Sequence, residues 1–289
     1  MSNLALQMKP QALGMNNEAL SLRNFNRLAR FIHDYSGIRM PPNKRTMLEG
    51  RLRRCMRDSG YLSVDDYCDY LFDGGGLERE EIRLIDAVTT NKTDFFREPQ
   101  HFEFLRDEGL PALTKSGRKS LKIWSAACSI GAEAYTMAMV MEEFRRLVRR
   151  VDYSILGTDL CTQVLEEALA GRYSEAMIEP VPHDLRARYV LRARDPRRPE
   201  VRMAPELRAR LSVARLNLID DAYPADRDFD VIFLRNILIY FDKPTQSKVL
   251  TTLCDHLRPG GYLILGHSES IVGVDLPVTP VAHTVFQRL

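Results

Sequence analysis

The sequence lacks the features that mark membrane-spanning, exported and disulfide-stabilised proteins. No apolar run approaches the ~20 residues that cross a bilayer, and residues 1–17 lack the charged-then-apolar order of a signal peptide. No pair among the five cysteines has C-x-x-C spacing, so neither a zinc site nor a disulfide framework is indicated. We therefore predict a cytoplasmic protein with buried free thiols, no direct membrane insertion and no metal.

The sequence also lacks an excess of either charge. Its 41 Lys and Arg residues nearly balance 39 Asp and Glu residues, which leaves a formal net charge of +2. This balance gives no general argument for a nucleic-acid partner, and we predict none. The 289 residues are enough for two domains of ~100–200 residues each, and the 45% hydrophobic and 28% charged content is that of a globular protein.

The middle of the chain has the pattern of one βαβ unit. The apolar run Leu121–Cys128 predicts a strand, small residues follow at Ser129–Ala132, and Glu133 leads a helical pattern. A second short strand, Tyr153–Thr158, ends at Asp159. This order indicates a nucleotide-binding α/β sheet, in which ligands lie beyond the carboxyl ends of the strands.

The residues of this unit favour S-adenosylmethionine over a dinucleotide. Asp159, at the tip of the second strand, is placed to accept hydrogen bonds from ribose hydroxyls. Gly131 stands alone where a pyrophosphate-binding loop needs three glycines, and Glu133 beside it would repel phosphates but attract a cation. S-Adenosylmethionine has a ribose, an ammonium and a sulfonium but no phosphate. The alternative, that Gly131 is a turn glycine and Asp159 a helix N-cap, stays open.

The rest of the sequence divides into a helical first part and an α/β second part. We predict a flexible N-terminus at 1–17, an all-helical domain at 18–88, a linker at 89–98 and an α/β domain at 99–289. A proline-rich insertion at about 172–210 interrupts the α/β alternation. It is either a decorative excursion or a β-rich arm that grips a partner.

Further strands are predicted after the βαβ unit. Within the insertion, Tyr189–Leu191 and Val201–Met203 are expected to pair as short antiparallel strands. Three more apolar runs predict core strands of the main sheet: Leu211–Leu218, Phe229–Leu234 and Tyr262–Gly266. A last strand, Thr284–Arg288, is expected to be antiparallel at the sheet edge.

Two segments before the βαβ unit carry candidate binding residues. A helix predicted over 43–57 is strongly basic, and Arg51 and Arg54, three residues apart, share one of its faces. That face is either a solvated surface or a docking surface for an acidic partner. In the linker, Phe95 and Phe96 are expected to anchor three polar side chains near a pocket, those of Asn91, Thr93 and Arg97.

With these elements in place, the chain resembles the chemotaxis receptor glutamate methyltransferases, the CheR family. Four segments carry the resemblance: Asn91–Glu98, Trp124–Thr136, Arg235–Phe241 and Gly260–Glu269. The second segment departs from the family's G-E-E-P-Y-S pattern at Ala132, Ala134 and Thr136, and retains the second acid as Glu133. The resemblance covers nearly the whole chain.

The resemblance implies an α/β, Rossmann-like S-adenosylmethionine-dependent methyltransferase fold with a small antiparallel β-subdomain insertion, preceded by an all-α N-terminal domain. It implies methylation of glutamate side chains in the cytoplasmic helical domain of chemotaxis receptors, with S-adenosylhomocysteine as product. In some members the inserted subdomain binds a peptide at the receptor C-terminus. The basic helix with Arg51 and Arg54 resembles the family's receptor-facing helix.

The resemblance also assigns roles to site residues. The cofactor pocket would be formed by Asn91, Thr93 and Arg97 of the linker, Glu133 at the methionine ammonium, Asp159 at the ribose, Asn217 and Leu218 at the adenine, and Arg235 and Asn236 under the methionine part. Tyr240 would stand near the transferred methyl, and Arg97 is predicted to orient the acceptor carboxylate by a two-pronged hydrogen bond. A non-catalytic cofactor-binding adaptor of the same fold and a methyltransferase for another acceptor remain as alternatives.

Overall fold

The computed structural model describes residues 19–115, 117–148, 151–195, 197 and 199–289. The predicted flexible N-terminus at 1–17 lies outside these residues. The described chain forms two compact units, one of residues 19–31 and 40–88, the other of residues 32–39 and 89–289. No helix within the described ranges is long and apolar enough to cross a membrane.

The first unit is entirely helical. Its elements are α1 (Leu22–Ser36, whose last residues are grouped with the second unit), a short 3₁₀ turn (Pro42–Lys44), α2 (Arg45–Asp58), α3 (Val64–Phe72) and α4 (Leu77–Val88). The side chain of Ser63 caps α3 by accepting a hydrogen bond from the Asp66 N–H at 3.0 Å. Apolar side chains at helical spacing form the buried interior: Phe25, Leu28, Leu48, Leu52, Leu71, Leu84 and Ile85.

The second unit is built on a seven-stranded sheet in the order β6-β2-β1-β7-β8-β10-β9. Its strands are β1 (Ser120–Ala126), β2 (Asp152–Asp159), β6 (Leu211–Arg215), β7 (Phe229–Leu234), β8 (Leu257–Leu265), β9 (Val278–Ala282) and β10 (Val285–Arg288). The first five are mutually parallel, and β10 and β9 join in antiparallel fashion. The predicted last strand is therefore antiparallel, but its predicted edge position is wrong, since β9 pairs with its outer side.

Helices cover both faces of this sheet. They are α5 and α6 (Gln100–Phe104 and Leu110–Thr114, joined by a π-helical turn at Leu105–Gly109), α7 (Ala132–Leu147), α8 (Thr162–Ala170) and α11 (Lys243–His256). Alternate residues of β1 enter two different cores, with Ile123 on the side of α7 and Trp124 on the side of α11. Burial on both faces explains why the central strands are almost continuously apolar.

A second, three-stranded antiparallel sheet lies within residues 172–210. Its order is β3-β5-β4, from β3 (Arg172–Ser174), β4 (Val190–Arg192) and β5 (Glu200–Met203), with α9 (His183–Tyr189) before β4 and α10 (Pro205–Arg208) after β5. The predicted pairing of the segments near 190 and 202 is confirmed. Strand β3 was not predicted from the sequence. The predicted fold class is confirmed in its all-α part, its mainly parallel sheet and its small antiparallel sheet.

Candidate functional site

The carboxyl ends of five parallel strands meet at one edge of the main sheet. The order of the strands reverses between β1 and β7. Strands β2 and β6 lie on one side of β1, whereas β7 and β8 lie on its other side. Ligands of open α/β sheets bind at such a switch point. The loops that begin at Ala127, after β1, and at Arg235, after β7, flank it directly.

Asp159 ends β2 at this edge and organises the loop after β1. Its carboxylate accepts hydrogen bonds from the Ser129 N–H at 2.8 Å and from the Cys161 N–H at 3.0 Å. The Ser129 hydroxyl in turn donates to the carbonyl of Asn91 at 2.9 Å. A carboxylate can only accept hydrogen bonds, which is the chemistry that the diol of a ligand requires at this strand end.

Gly131 has a packing role that the sequence analysis did not anticipate. Its φ is +83°, a conformation that favours glycine. A Cβ at this position would lie 2.9 Å from the Cβ of Ala168 and 3.4 Å from the Tyr173 hydroxyl. Its missing side chain therefore allows α8 and the small sheet to approach α7.

Glu133 is a partly buried acid in the first turn of α7, with a side chain 13% exposed. It accepts a hydrogen bond from the Ser125 hydroxyl at 2.7 Å and pairs with the Arg235 guanidinium at 3.2 Å. Burial raises the pKa of Glu133, while Arg235 and Ser125 oppose the rise. Removal from water also strengthens its attraction for a cationic group.

Arg235 links the two sides of the switch point. Its guanidinium, with a side chain only 3% exposed, pairs with Glu98 and Glu133, each at 3.2 Å, and donates to the carbonyl of Arg97. It also lies over the Phe102 ring, 5.3 Å from its centroid. Arg235 thereby holds the linker against the first turn of α7.

Two acids that the sequence analysis left without a role fix the loop after β7. Glu98 accepts from the Asn236 side chain at 3.1 Å and from the His267 N–H at 3.1 Å. The buried Glu269 carboxylate accepts four backbone N–H groups at 2.7 to 2.9 Å, those of Asn236, Ile237, Leu238 and Gly266. Both acids occur in segments that resemble the CheR family, but their residue type alone gave no sign of these contacts.

The loops of the site hold unusual backbone conformations. Within the described residues, seven non-glycine residues have positive φ, and five of them flank the switch point: Phe96, Glu98, Ala127, Ser129 and Asn236. Positive φ is uncommon outside glycine, and strained residues cluster at functional sites. The hydrogen bonds to Asp159 and Glu269 are the interactions that hold two of these loops.

Both parts of the chain match one protein family. The all-alpha domain of CheR methyltransferases matches residues 23–89, and their SAM binding domain, which binds S-adenosylmethionine, matches residues 91–286. The chain belongs to the CheR methyltransferase family.

Relatives of this CheR-family chain agree with the assignment over most of their length. The chemotaxis protein methyltransferase of Borreliella burgdorferi is 35% identical over 86% of this chain and 88% of its own. That of Klebsiella aerogenes is 37% identical over 87% and 84%, and that of Escherichia coli is 34% identical over 93% and 91%. The predicted family is confirmed.

Three further residues predicted to line the pocket, Asn217, Leu218 and Tyr240, lie in three different surroundings in this CheR-family chain. Asn217 lines a cleft of about 510 Å³ beyond β6, together with Tyr35 and Lys248. Leu218, next to it, is buried in the core on the α11 side of the sheet. Tyr240 ends a 3₁₀ turn, Leu238–Tyr240, that follows the loop held by Glu269, and its side chain is half-buried.

The three linker residues are also placed differently from one another. The Asn91 side chain reaches the Cys161 sulfur at 3.5 Å, beside Asp159. Arg97 is half-buried and donates to the carbonyl of Lys92 at 3.2 Å. In the described part of the chain, no hydrogen bond or ion pair connects Thr93 to this network.

The two predicted docking residues of the CheR all-alpha domain differ in exposure. The Arg51 side chain turns to the end of α4 and donates to the carbonyl of Val88. The Arg54 side chain is 82% exposed, with Asp58 at 3.8 Å. Of the two, Arg54 is the one with a guanidinium open to solvent.

Proposed function

We propose that this chain transfers the methyl group of S-adenosylmethionine to glutamate side chains of chemotaxis receptors, giving methyl esters. The observation that carries the proposal is the partly buried Glu133 at the switch point, paired with Arg235, in a chain of the CheR methyltransferase family. The relatives are chemotaxis protein methyltransferases by name. A lone glycine and an acid at the head of α7 also suit a cationic, phosphate-free cofactor.

The residues at the strand ends have the charges and hydrogen-bonding groups that this cofactor requires. Glu133 offers a partly buried carboxylate to the methionine ammonium, while Arg235 keeps that carboxylate in place. Asp159 lies at the end of β2 and is proposed to accept hydrogen bonds from the ribose hydroxyls, as an acid at this position does in dinucleotide sites, while it holds the Ser129 loop. Asn217 borders the adjacent cleft, which would take the adenine.

Catalysis in this proposal rests on alignment. S-Adenosylmethionine supplies a methyl group already activated by the positive sulfur. The acceptor glutamate, with an ordinary pKa of ~4.3, is ionised at neutral pH, so no residue needs to act as a general base. Holding the two groups in line can be worth ~7–11 kcal/mol of the barrier.

Arg97 is proposed to hold the acceptor carboxylate. One of its N–H groups donates to the carbonyl of Lys92, and a guanidinium has five donors in all. The donors left over can bind a carboxylate in a two-pronged arrangement. Tyr240, after the Glu269-held turn, is proposed to shape the channel through which the methyl group passes.

The test is incubation of the full chain with labelled S-adenosylmethionine and purified receptors. We expect base-labile label on receptor glutamates, because methyl esters hydrolyse readily in base. Arg97→Ala should lower turnover by about tenfold or more with cofactor affinity little changed, and Arg97→Lys, which keeps the charge but not the fork, should recover only part of the loss. Cofactor binding without methyl transfer to any receptor would favour an adaptor instead.

The small sheet is proposed to bind the receptor C-terminal peptide. Strand β4 is an edge strand, and Leu191 on it is 48% exposed. An extended peptide can add to such an edge through backbone hydrogen bonds. A labelled receptor C-terminal peptide should bind the wild type and bind Leu191→Asp more weakly, and equal affinities would place the peptide elsewhere.

A further inference from the structure

A group of metal-ligating side chains lies beside the strand ends but outside the proposed cofactor contacts. Glu98, His101 and His267 place their ligand atoms within 4.8 Å of one another. The His101 and His267 rings meet edge to face with centroids 4.8 Å apart, and His283 lies 5.3 Å beyond His267. His101 is buried, while His267 is exposed and gives the group a path to solvent.

His101 has a buried ring nitrogen that the fold does not satisfy. Its side chain is 2% exposed, and its Nε2 is hydrogen-bonded to the Thr284 hydroxyl at 2.9 Å. Its Nδ1 has no hydrogen-bond partner among the residues that the structure describes, and lies 3.6 Å from Oε2 of Glu98. This separation is too long for a hydrogen bond, so either tautomer leaves the atom unpaired. An unpaired buried polar atom is rare in folded proteins.

We propose that Glu98, His101 and His267 bind a divalent transition-metal ion of the zinc type. Two imidazole nitrogens and one carboxylate oxygen form a donor set that zinc accepts, with water at a fourth position. The Thr284 hydroxyl, on the far nitrogen of His101, is the outer partner that orients a metal-binding histidine. Zinc–ligand bonds are ~2.1 Å long, so the three ligand atoms must move slightly closer together to bind one ion. Rotation of the exposed His267 ring can provide this movement.

The neighbouring Arg235 does not prevent this arrangement. Its guanidinium pairs with Glu133 and donates to the carbonyl of Arg97 as well as pairing with Glu98. Arg235 therefore keeps Glu133 as a carboxylate partner when one carboxylate oxygen of Glu98 binds a metal ion. The charges of Glu98 and Glu133 offset those of Arg235 and the nearby Arg97, so no net positive charge from these four residues opposes a cation. The ion would take no part in methyl transfer, and the proposal stands independently of the acceptor.

The test is zinc binding by the full-length, tag-free chain after treatment with a chelator. Competition with a chromophoric zinc chelator should give one Zn²⁺ per wild-type chain. His267→Ala should weaken binding at least about tenfold, since loss of an outer partner alone costs 10–100-fold. His183→Ala removes an exposed histidine of α9 and should leave the affinity unchanged. Wild-type affinity in His267→Ala, or equal losses in both variants, would overturn the site.

A second measurement reads His101 directly and needs no variant of that buried residue. Zinc titration followed by ¹⁵N NMR of the imidazole rings should shift the Nδ1 resonance of His101 and a ring nitrogen of His267 together. The rings of His33 and His183, which lie elsewhere in the chain, serve as internal controls. A His101 Nδ1 resonance that does not respond at saturating Zn²⁺ would contradict the proposal.

Discussion

At the scale of single residues, the site depends on buried and partly buried acids whose charge is balanced by neighbouring groups. Glu133 and Glu98 share Arg235, and Asp159 and Glu269 are satisfied by backbone N–H groups. The residue types and positions of Glu133 and Asp159 in the βαβ unit are the basis on which the sequence predicts a ligand site. The partner that holds Glu133, Arg235, lies 102 residues away along the chain, so only the fold brings the pair together.

Glu133 should make cofactor binding sensitive to pH. Burial raises its pKa above the ordinary value of 4.5, and only the ionised form attracts an ammonium. Affinity for S-adenosylmethionine should therefore be full above this raised pKa and fall as the pH drops through it. Calorimetry from about pH 7 downward, where the α-amino group of the ligand (ordinary pKa ~7.7–8.0) stays protonated, measures this dependence.

Glu133→Gln is the matched variant for the pH experiment. It should bind S-adenosylmethionine roughly 10–100-fold more weakly at neutral pH, the value of a charge-assisted hydrogen bond of ~1.5–3 kcal/mol. Its affinity should be nearly independent of pH in the same window. The same pH profile in the variant and the wild type would remove Glu133 from the ammonium site.

Adding a single methyl group at Gly131 tests how closely α7 and α8 pack. Gly131→Ala should lower the free energy of unfolding by roughly 2–4 kcal/mol, because it combines a left-handed backbone, ~1–2 kcal/mol, with overlap against Ala168. Gly260→Ala is the control, with φ +78° and open space around the new Cβ, and should lose only ~1–2 kcal/mol. Denaturant unfolding measures both, and equal losses would mean that α8 yields to the added methyl.

At the scale of elements, Glu269 fastens the loop after β7 to the end of β8. Its carboxylate accepts hydrogen bonds from four backbone N–H groups that would otherwise need water as a partner: those of Asn236, Ile237, Leu238 and Gly266. This loop carries Arg235 and Asn236 and leads into the turn that ends at Tyr240. We therefore interpret Glu269 as a positioning residue for the cofactor side of the site.

Glu269→Gln should separate positioning from charge. An amide offers one acceptor oxygen instead of two, so at least one buried N–H loses its partner at a cost of ~1–3 kcal/mol. We expect lower stability and weaker S-adenosylmethionine binding together, with the pH profile of binding unchanged. Glu103→Gln on α5, an exposed acid, should change neither quantity. Unaltered cofactor affinity in Glu269→Gln would show that the loop holds its conformation without the carboxylate.

Secondary structure was predictable where hydrophobic pattern and length agreed. The βαβ unit and the core strands follow from apolar runs and turn residues, since burial on both faces gives continuous apolar stretches. Strand β3 has three residues, two of them exposed, and so leaves no pattern to detect. The order of β9 and β10 depends on tertiary pairing, because Val278–Ala282 is mostly exposed and contains a proline.

At the scale of the whole molecule, the two units have different parts in the proposed reaction. The α/β unit holds the proposed cofactor residues, and the helical unit is proposed to dock on the receptor through its basic helix α2, which suits an acidic surface. The sequence could place Arg51 and Arg54 on one helix but not distinguish them. Arg51 is bound to the Val88 carbonyl, so its replacement would disturb the unit itself, whereas Arg54 extends into solvent.

Arg54→Glu is therefore the cleaner test of docking. We expect it to raise the KM for the receptor about threefold or more at low salt and to leave S-adenosylmethionine affinity unchanged, with the effect shrinking as salt screens the charges. Arg79→Glu on α4, also exposed, makes the same charge change and should have little effect. If both variants behave like the wild type towards the receptor, the docking surface lies elsewhere.

Calorimetric titration with S-adenosylmethionine tests most directly whether the strand ends form a cofactor site for a methyl donor. We predict one binding event per wild-type chain and none detectable in Asp159→Ala, with circular dichroism showing that the variant is folded. Wild-type affinity in Asp159→Ala, or a wild-type chain that binds a pyrophosphate nucleotide in preference to S-adenosylmethionine, would contradict the account.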